Sequence, residues 1–325
     1  MRPFAAGCWL LVLLLVGAAG AADLPTLAGP AMGTTYRVTL AADISGMNRG
    51  QVHREVEAVL ARIDRAASTW RDDSDASRFN LAAAGEWVTV SPDLMALVET
   101  ARGIHEQSEG AFDVTVGPLV RLWGDGRVEP SDAAIAVARG CVGMRSIESR
   151  PHTSEVVAAL RKTRHGVEID LSGIAPGYAV DRIGERLLEL GSAAHLVELG
   201  GEVRAWGQPA EGRPWRVWLR DADAGQGQPQ EIDLDDGSAV ATSARRPGRS
   251  PIDPRTGRPV AATIPSRSSM SIRFSGTATV RAATCATADA WAVAAIVLGL
   301  EPDADGTITA PSRPAGPTAA RRAAP

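Results

Sequence analysis

The stretch 169–181, IDLSGIAPGYAVD, constrains the fold more than any other part of this chain. Val167, Ile169 and Leu171 alternate with polar residues as in a half-buried strand, and Ser172 and Gly173 break that pattern. Pro176 suits a first helical turn, where a missing N–H costs nothing. Val180, Ile183, Leu187 and Leu190 then recur at three- and four-residue spacing up to Gly191, which has the position of a helix stop. A strand, a glycine turn and a helix start form an anion site when free amides and the helix dipole converge there. A phosphate is the natural guest, although unliganded α/β loops share the same shape.

A chain of 325 residues, 45% hydrophobic and 22% charged, can bury a substantial core as one large domain or two small ones. Its formal net charge of -4 gives no basic field, so nucleic acid is not an expected partner. The opening residues carry one Arg, an apolar run at 9–16 and small residues ending at Ala21 or Ala22. They read as a secretory signal peptide over 1–22, and an uncleaved membrane anchor is the minor reading because the run is short. The expected location is therefore exported and periplasmic. Cys8 precedes the apolar run, whereas a lipid-acceptor cysteine should follow it. Cys141 and Cys285 are left to pair or to stay as buried thiols, and sequence favours neither.

Tyr36, Val38 and Leu40 alternate as a strand, and residues 51–64 place Val52, Val56, Val59, Leu60 and Ile63 on one helical face. Residues 68–80, STWRDDSDASRFN, are polar and turn-like, with Trp70 exposed at their start and Asp72, Asp73 and Asp75 read as solvated. Val88 and Val90 suggest a short strand. Ser91-Pro92 opens a helix bearing Leu94, Leu97, Val98, Ala101 and Ile104, and a second capped helix runs from Ser131 to Gly140. Between them, residues 110–123 set a single carboxylate, Asp113, among apolar neighbours, and a buried Asp113 needs a partner. Leu196, Val197 and Leu199 end at Gly200-Gly201, and short strands through Val203, Ala205, Trp215, Val217 and Leu219 continue as a meander. Ile232 and Leu234 follow, Ile252 to Gly257 is a compact turn, and residues 289–300 form an Ala-rich last helix. Residues 301–325 lack an apolar period and are expected to be disordered.

No P-loop, GxGxxG, GxSxG, HExxH or zinc spacing occurs. Helices and strands without regular βαβ alternation point to one α+β domain spanning 23–300.

Eight stretches in order resemble one family: GPAMGTTY, the STW loop, GAFDVTVGPLVRLWG, IDLSGIAPGYAVD, LVELGGEVRAWG, AVATS, IDPRTGRPV and TADAWAVAAIVLG. Their order and spacing are similar to those of the ApbE-type FAD:protein FMN transferases. The resemblance implies a single α+β domain of T-fold type and an extracytoplasmic enzyme. Such an enzyme splits FAD, moves FMN through a phosphoester onto a Thr or Ser of a target protein, and releases AMP. It further implies that Met32, Trp70, Ala111, Phe112, Asp113, Ser172, Tyr178 and Ile252 contact FAD. Trp70 stands where the family often has Tyr, and either ring can stack on a flat heterocycle; the plainer reading is a half-buried core Trp. Ser172 and the amides after it are expected near the pyrophosphate. Asp181, a turn into the helix, either helps fix the site or is a solvated charge. Mg²⁺ is the implied ion, held by the Ala175 carbonyl and the Asp289 carboxylate, with Asp289 the catalytic residue. The implied acceptor is a membrane electron-transfer subunit.

Departures cluster on the metal and transfer side. The positions three and four after Asp289 hold Ala292 and Val293, where the family can have Asp and usually has Thr. Neither side chain can ligate Mg²⁺. Pro176 replaces a charged residue before Gly-Tyr, Ser250 falls where a His precedes IDPRTG, and Ala244, Arg245 and Arg246 follow AVATS. The two arginines are either added counter-charges or solvent-facing loop residues. Two alternatives to transfer therefore stand: a non-catalytic flavin-binding protein, and an FAD pyrophosphatase in which water replaces the acceptor hydroxyl.

Overall fold

A computed structural model describes residues 24–153, 157–209, 212–219, 230–245, 250–260, 276–303 and 305–311. The signal segment and Arg246 lie outside these residues. In chain order the elements are β1 (Thr26–Ala31), β2 (Thr34–Leu40), α1 (Arg49–Ala67), α2 (Asp75–Leu81), β3 (Trp87–Thr89), α3 (Pro92–Gln107), α4 (Gly117–Trp123) and α5 (Asp132–Arg139). Next come β4 (Ile147–Arg150), β5 (Ala159–Lys162), α6 (Ala175–Glu189), β6 (His195–Leu199), β7 (Glu202–Trp206), β8 (Trp215–Leu219), β9 (Gln230–Leu234) and β10 (Ala239–Ala244). The chain ends with β11 (Ile252–Asp253), β12 (Arg258–Pro259), β13 (Thr277–Ala282), α7 (Cys285–Leu298) and β14 (Ile308–Thr309).

The main sheet has seven strands in the order β1-β2-β6-β7-β10-β13-β14, antiparallel except for β13 with β14. One face carries α6 and α7, backed by α1 and α3, because Val197, Leu199, Ala241 and Val280 point there and meet Val180, Ile183 and Ile296. The other face presents Leu196, Val203, Ala205 and Val240 to the β8–β9 hairpin through Trp215, Val217, Ile232 and Leu234. A sheet buried on both faces needs apolar residues at successive positions, which is how HLVEL in β6 reads. A small sheet, β3-β5-β4, stands apart.

The periodicities locate β2, α1, α3, α5, α6, β6, β7 and α7, and the α+β fold is the observed one, while α4, β4, β5 and β13 had no sequence expectation and 167–171 is not a ladder strand. Several details differ. β8 does not continue a meander; β7 pairs with β10, and β8 turns out to pair with β9. Residues 75–81 form a helix capped by the Ser74 side chain, so Asp75 is buried, where its carboxylate accepts Ser91 N–H at 2.7 Å and pairs with Arg78. The tail is not wholly without order, since Ile308 and Thr309 extend the sheet beside Val280 and Arg281. Cys141 and Cys285 are free thiols, the first half-buried and the second buried. No described helix is long and apolar enough to cross a membrane.

Candidate active site at the start of α6

Val167, Ile169 and Leu171 are buried, yet their segment joins no sheet ladder beyond one bridge, Val116 to Glu168. Asp170 N–H donates to the Val114 carbonyl at 2.7 Å, which sets the GAFDV and IDLSG stretches side by side. On the other edge the Asn80 side chain bonds both main-chain groups of Ile169. Beyond this segment, Ser172 N–H donates to the Asp170 carboxylate at 2.9 Å, closing the turn.

The turn packs against two distant residues. A Cβ added at Gly173 would lie 3.0 Å from Val293 Cγ2 and 3.5 Å from Phe112. A Cβ at Gly177 would lie 2.4 Å from the Cys285 carbonyl oxygen and 2.8 Å from Asp289 Cβ. The missing side chains let α6 close onto α7, and Gly177 N–H then donates to the Asp289 carboxylate at 3.0 Å. Phe112, Ser172, Ala175 and Asp289 are thus gathered around the first turn of α6.

That turn has fewer free donors than the sequence suggests. Ile174 and Ala175 N–H both donate to the Leu171 carbonyl, Pro176 has none, and Gly177 N–H serves Asp289. Among the described residues only Gly173 N–H and the Ser172 hydroxyl remain for an anion. The expected row of amides after Ser172 is therefore a correction: the geometry leaves about two donors.

The charge beside them is negative. Burial pushes the Asp289 carboxyl up, to about 7. Half-buried Glu202, at the start of β7, is pushed well up by burial and then by the Asp289 charge. A cation is the missing partner of such carboxylates. No group of three or more His, Cys, Asp or Glu side chains among the described residues is arranged as a metal cage. Mg²⁺ does not need one, since it keeps waters and takes substrate phosphate oxygens alongside one or two carboxylates. Asp289, with Glu202 and the Ala175 main chain nearby, fits that ion.

The other expected contacts surround this centre. Met32 is at φ 48 and Gly33 at φ 79 in the two-residue β1–β2 turn, a conformation costly for a non-glycine residue. Thr34 touches the β6–β7 turn, where a Cβ at Gly200 would lie 2.9 Å from it. Trp70 is 95% exposed at the end of α1, so it is not a core residue. Ala111, Phe112 and Asp113 are buried. Asp113 finds its partners in Thr115, whose N–H donates at 2.7 Å, and in His105 at 3.3 Å. The hydrogen bond to Asp113 raises the His105 pKa. Tyr178 is buried, but its hydroxyl is directed to Asp93 at 2.9 Å, and Asp93 in turn pairs with Arg62. Its polar tip serves the α3–α6 contact. Ile252 lies half-buried in the β11–β12 hairpin, which Trp123 holds by donating to the Gly257 carbonyl at 2.9 Å.

Two charged residues are not the solvated ones that one reading expected. Asp181 is buried; it accepts Cys285 N–H at 2.8 Å and Ala286 N–H at 3.0 Å and pairs with Arg204 at 2.6 Å, which ties α6 to the helix bearing Asp289 in keeping with a role in fixing the site. Arg245 is buried, which excludes the solvent-facing reading for it. Sequence reasoning passed over Asn80, His105 and Glu202. A polar residue closing a polar run, a histidine ahead of a buried aspartate and a carboxylate after Gly-Gly were the available signals.

Comparison with known proteins gives the family. The ApbE family profile matches residues 32–306. A Vibrio cholerae FAD:protein FMN transferase is 33% identical over 311 residues, covering 90% of this chain and 88% of its own length. A Haemophilus influenzae protein of the same name is 37% identical over 199 residues, covering 59% and 57%. Among solved structures, the Vibrio cholerae flavin transferase ApbE superposes with a TM-score of 0.73 at 31% identity, covering 87% of this chain and 89% of that one. The apo Pseudomonas stutzeri flavinyl transferase ApbE gives 0.72 at 31% identity, covering 87% and 86%.

Proposed function

This chain belongs to the ApbE family, and on that premise we propose that it is an FAD:protein FMN transferase acting on a Thr or Ser of an exported or membrane electron-transfer protein. The observation that carries the chemical reading is the occupied N-terminus of α6. With Gly177 N–H given to Asp289 and Ile174 and Ala175 turned back to Leu171, few amides remain to meet a pyrophosphate. Its charge must then be balanced by a cation next to Asp289.

In this reading the exposed Trp70 ring and the Met32 turn take the flavin, and the Ser172 hydroxyl and Gly173 N–H take the phosphates. The acceptor hydroxyl oxygen attacks the FMN phosphorus, the bond to the AMP phosphate breaks, AMP leaves, and the hydroxyl proton is released. Asp289, Glu202 and the Ala175 carbonyl would hold a Mg²⁺ ion, which when bound would supply charge neutralisation for the phosphates. Asp289 is oriented by Gly177, and Phe112 and Val293 pack against Gly173 beneath the turn. Ala292 and Val293 have no side-chain donor to offer such an ion, so the protein would contribute few ligands and leave the rest to water.

The signal-peptide composition of residues 1–22 is what supports an extracytoplasmic setting, and mass spectrometry of the mature protein should find the N-terminus after Ala21 or Ala22. The central test incubates the protein with FAD, Mg²⁺ and a Thr-bearing acceptor domain and reads flavin fluorescence on the acceptor in a denaturing gel. A fluorescent acceptor that vanishes with EDTA is expected. FAD binding with no labelled acceptor would sink the reading in favour of a flavin-binding protein, and FMN release without labelling would favour a pyrophosphatase.

A further inference from the structure

The loop carrying Trp70 and the turn carrying Ser172 are far apart in sequence, and one side chain ties them. Asn80, near the end of α2, donates its amide to the Ile169 carbonyl at 2.9 Å and accepts Ile169 N–H at 2.7 Å. It thus gives Ile169 what a neighbouring strand would give, at a segment whose other edge is held by Val114. A second tie runs beside it. The buried Lys162 ammonium donates to the Asn80 carbonyl at 2.7 Å and to the Val167 carbonyl at 3.1 Å. No carboxylate pairs with that ammonium among the described residues; carbonyls and the Phe79 ring surround it.

The opposite end of α2 is tied to the Trp70 loop. The hydroxyls of Ser74 and Ser77 donate to the Ser68 carbonyl at 2.5 and 3.4 Å, two residues before Trp70. A continuous set of bonds therefore runs from Ser68 through α2 and Asn80 to Ile169, three residues before Ser172. Its length is set by a helix of seven residues, a stiff spacer.

We propose that Asn80, backed by Lys162, is a positioning residue that fixes the separation of the ring-binding and phosphate-binding ends of the FAD site. This rests on the placement of flavin at Trp70 and phosphates at Ser172 given above. A ligand that spans both ends gains from their being held in register, because the second contact is then made at little further entropic cost. A ligand that touches only one end gains nothing from it. Affinity for the whole dinucleotide should therefore depend on Asn80, and affinity for either half should not.

Calorimetry with FAD, riboflavin and ADP on the parent protein, Asn80→Leu and Lys162→Met separates these outcomes. Asn80→Leu keeps the volume and removes both bonds to Ile169, and Lys162→Met keeps the stem and removes the ammonium. Both variants should weaken FAD about tenfold, within the usual range of coupling between sites, while riboflavin and ADP change less than about twofold. In transfer assays KM for FAD should rise while kcat at saturating FAD is largely kept. Equal weakening of all three ligands, or unchanged FAD affinity, would overturn the proposal. Loss of folding in both variants would also overturn it, since the ties would then serve stability alone. Trp70→Ala is the control for the placement itself: if it leaves riboflavin and FAD unchanged, the flavin has been put in the wrong place, whatever Asn80 does.

Discussion

Helices α6 and α7 hold each other by carboxylates exchanged in both directions, and the two exchanges end differently. Asp181 of α6 accepts the first two amides of α7, and Asp289 of α7 accepts Gly177 N–H of α6. Behind them runs β7, whose alternate residues Glu202, Arg204 and Trp206 face the helices. Trp206 packs on Gly184 of α6, and Arg204 reaches Asp181. Opposite Asp181 the strand thus supplies an arginine; on the Asp289 side it supplies a glutamate. One junction pairs its carboxylate with a guanidinium, and the other sets Glu202 where burial and then the Asp289 charge raise its cost. The first has the composition of a structural cap, with two amides and a guanidinium on one carboxylate; the second has a single amide and a second carboxylate nearby, a composition that suits a cation.

Asp289→Asn should break the functional junction while sparing the fold. The amide oxygen still accepts Gly177 N–H, so the helices stay joined, but the charge is gone. Transfer to an acceptor domain should fall on the order of a thousandfold, the scale of losing one preorganised stabiliser of transition-state charge. The urea midpoint should be unchanged or higher. Transfer that survives in this variant would show that the metal has been placed wrongly.

Asp181→Asn should do the reverse. It leaves the Arg204 guanidinium buried without its counter-charge, which costs about 3–5 kcal/mol when one partner of a buried pair is removed. Urea unfolding measures that loss. In the variant that remains folded at low temperature, FAD affinity should be nearly unchanged. A stability loss under about 1 kcal/mol, the range of exposed pairs, would mean that solvent reaches the pair freely.

The contrast also separates what could be read from the sequence. The α6 face of Val180, Ile183 and Leu187, the Ser91 and Ser131 caps and the β6 strand follow from periodicity and capping rules that act within a few residues. The family motifs locate Phe112, Ser172 and Asp289, which the fold does gather. What stayed hidden depends on partners far along the chain. Asp181 and Asp289 are both single aspartates on helices, and only the register of β7 assigns one an arginine and the other a glutamate. The same holds for Ser172: free amides are a fair expectation for a helix start, and their use by Leu171 and Asp289 is a tertiary fact. Segment 167–171 was legible as buried and alternating, but it is no ladder strand: the 114–116 main chain holds one edge and a side-chain amide the other, for which no sequence periodicity exists.

Trp70→Ala offers a check from outside the seam. The ring is exposed, so stability should move by no more than about 0.5 kcal/mol, the usual range for surface substitutions. FAD binding should weaken by about 1–3 kcal/mol, the scale of stacking a flat base on an aromatic side chain. A stability loss without a binding loss would place the ring's role in the fold.

Glu202→Gln should give the smallest change and the most pointed one. Removing the Glu202 charge removes the cost that burial and the Asp289 charge place on it, so the metal-free protein should gain on the order of 1 kcal/mol at pH 8, the energy of one pKa unit. Mg²⁺ should then stabilise the variant less than the parent, because a ligand that binds only the folded state raises stability according to its affinity, and one anionic donor is missing. Thermal melts of both proteins with and without Mg²⁺ read the two effects together. A variant more stable without metal and less responsive to it would separate Glu202 from Arg204, two residues away on the same face of β7. An equal Mg²⁺ response in parent and variant would leave Glu202 outside the ion's reach and return the whole charge of the site to Asp289.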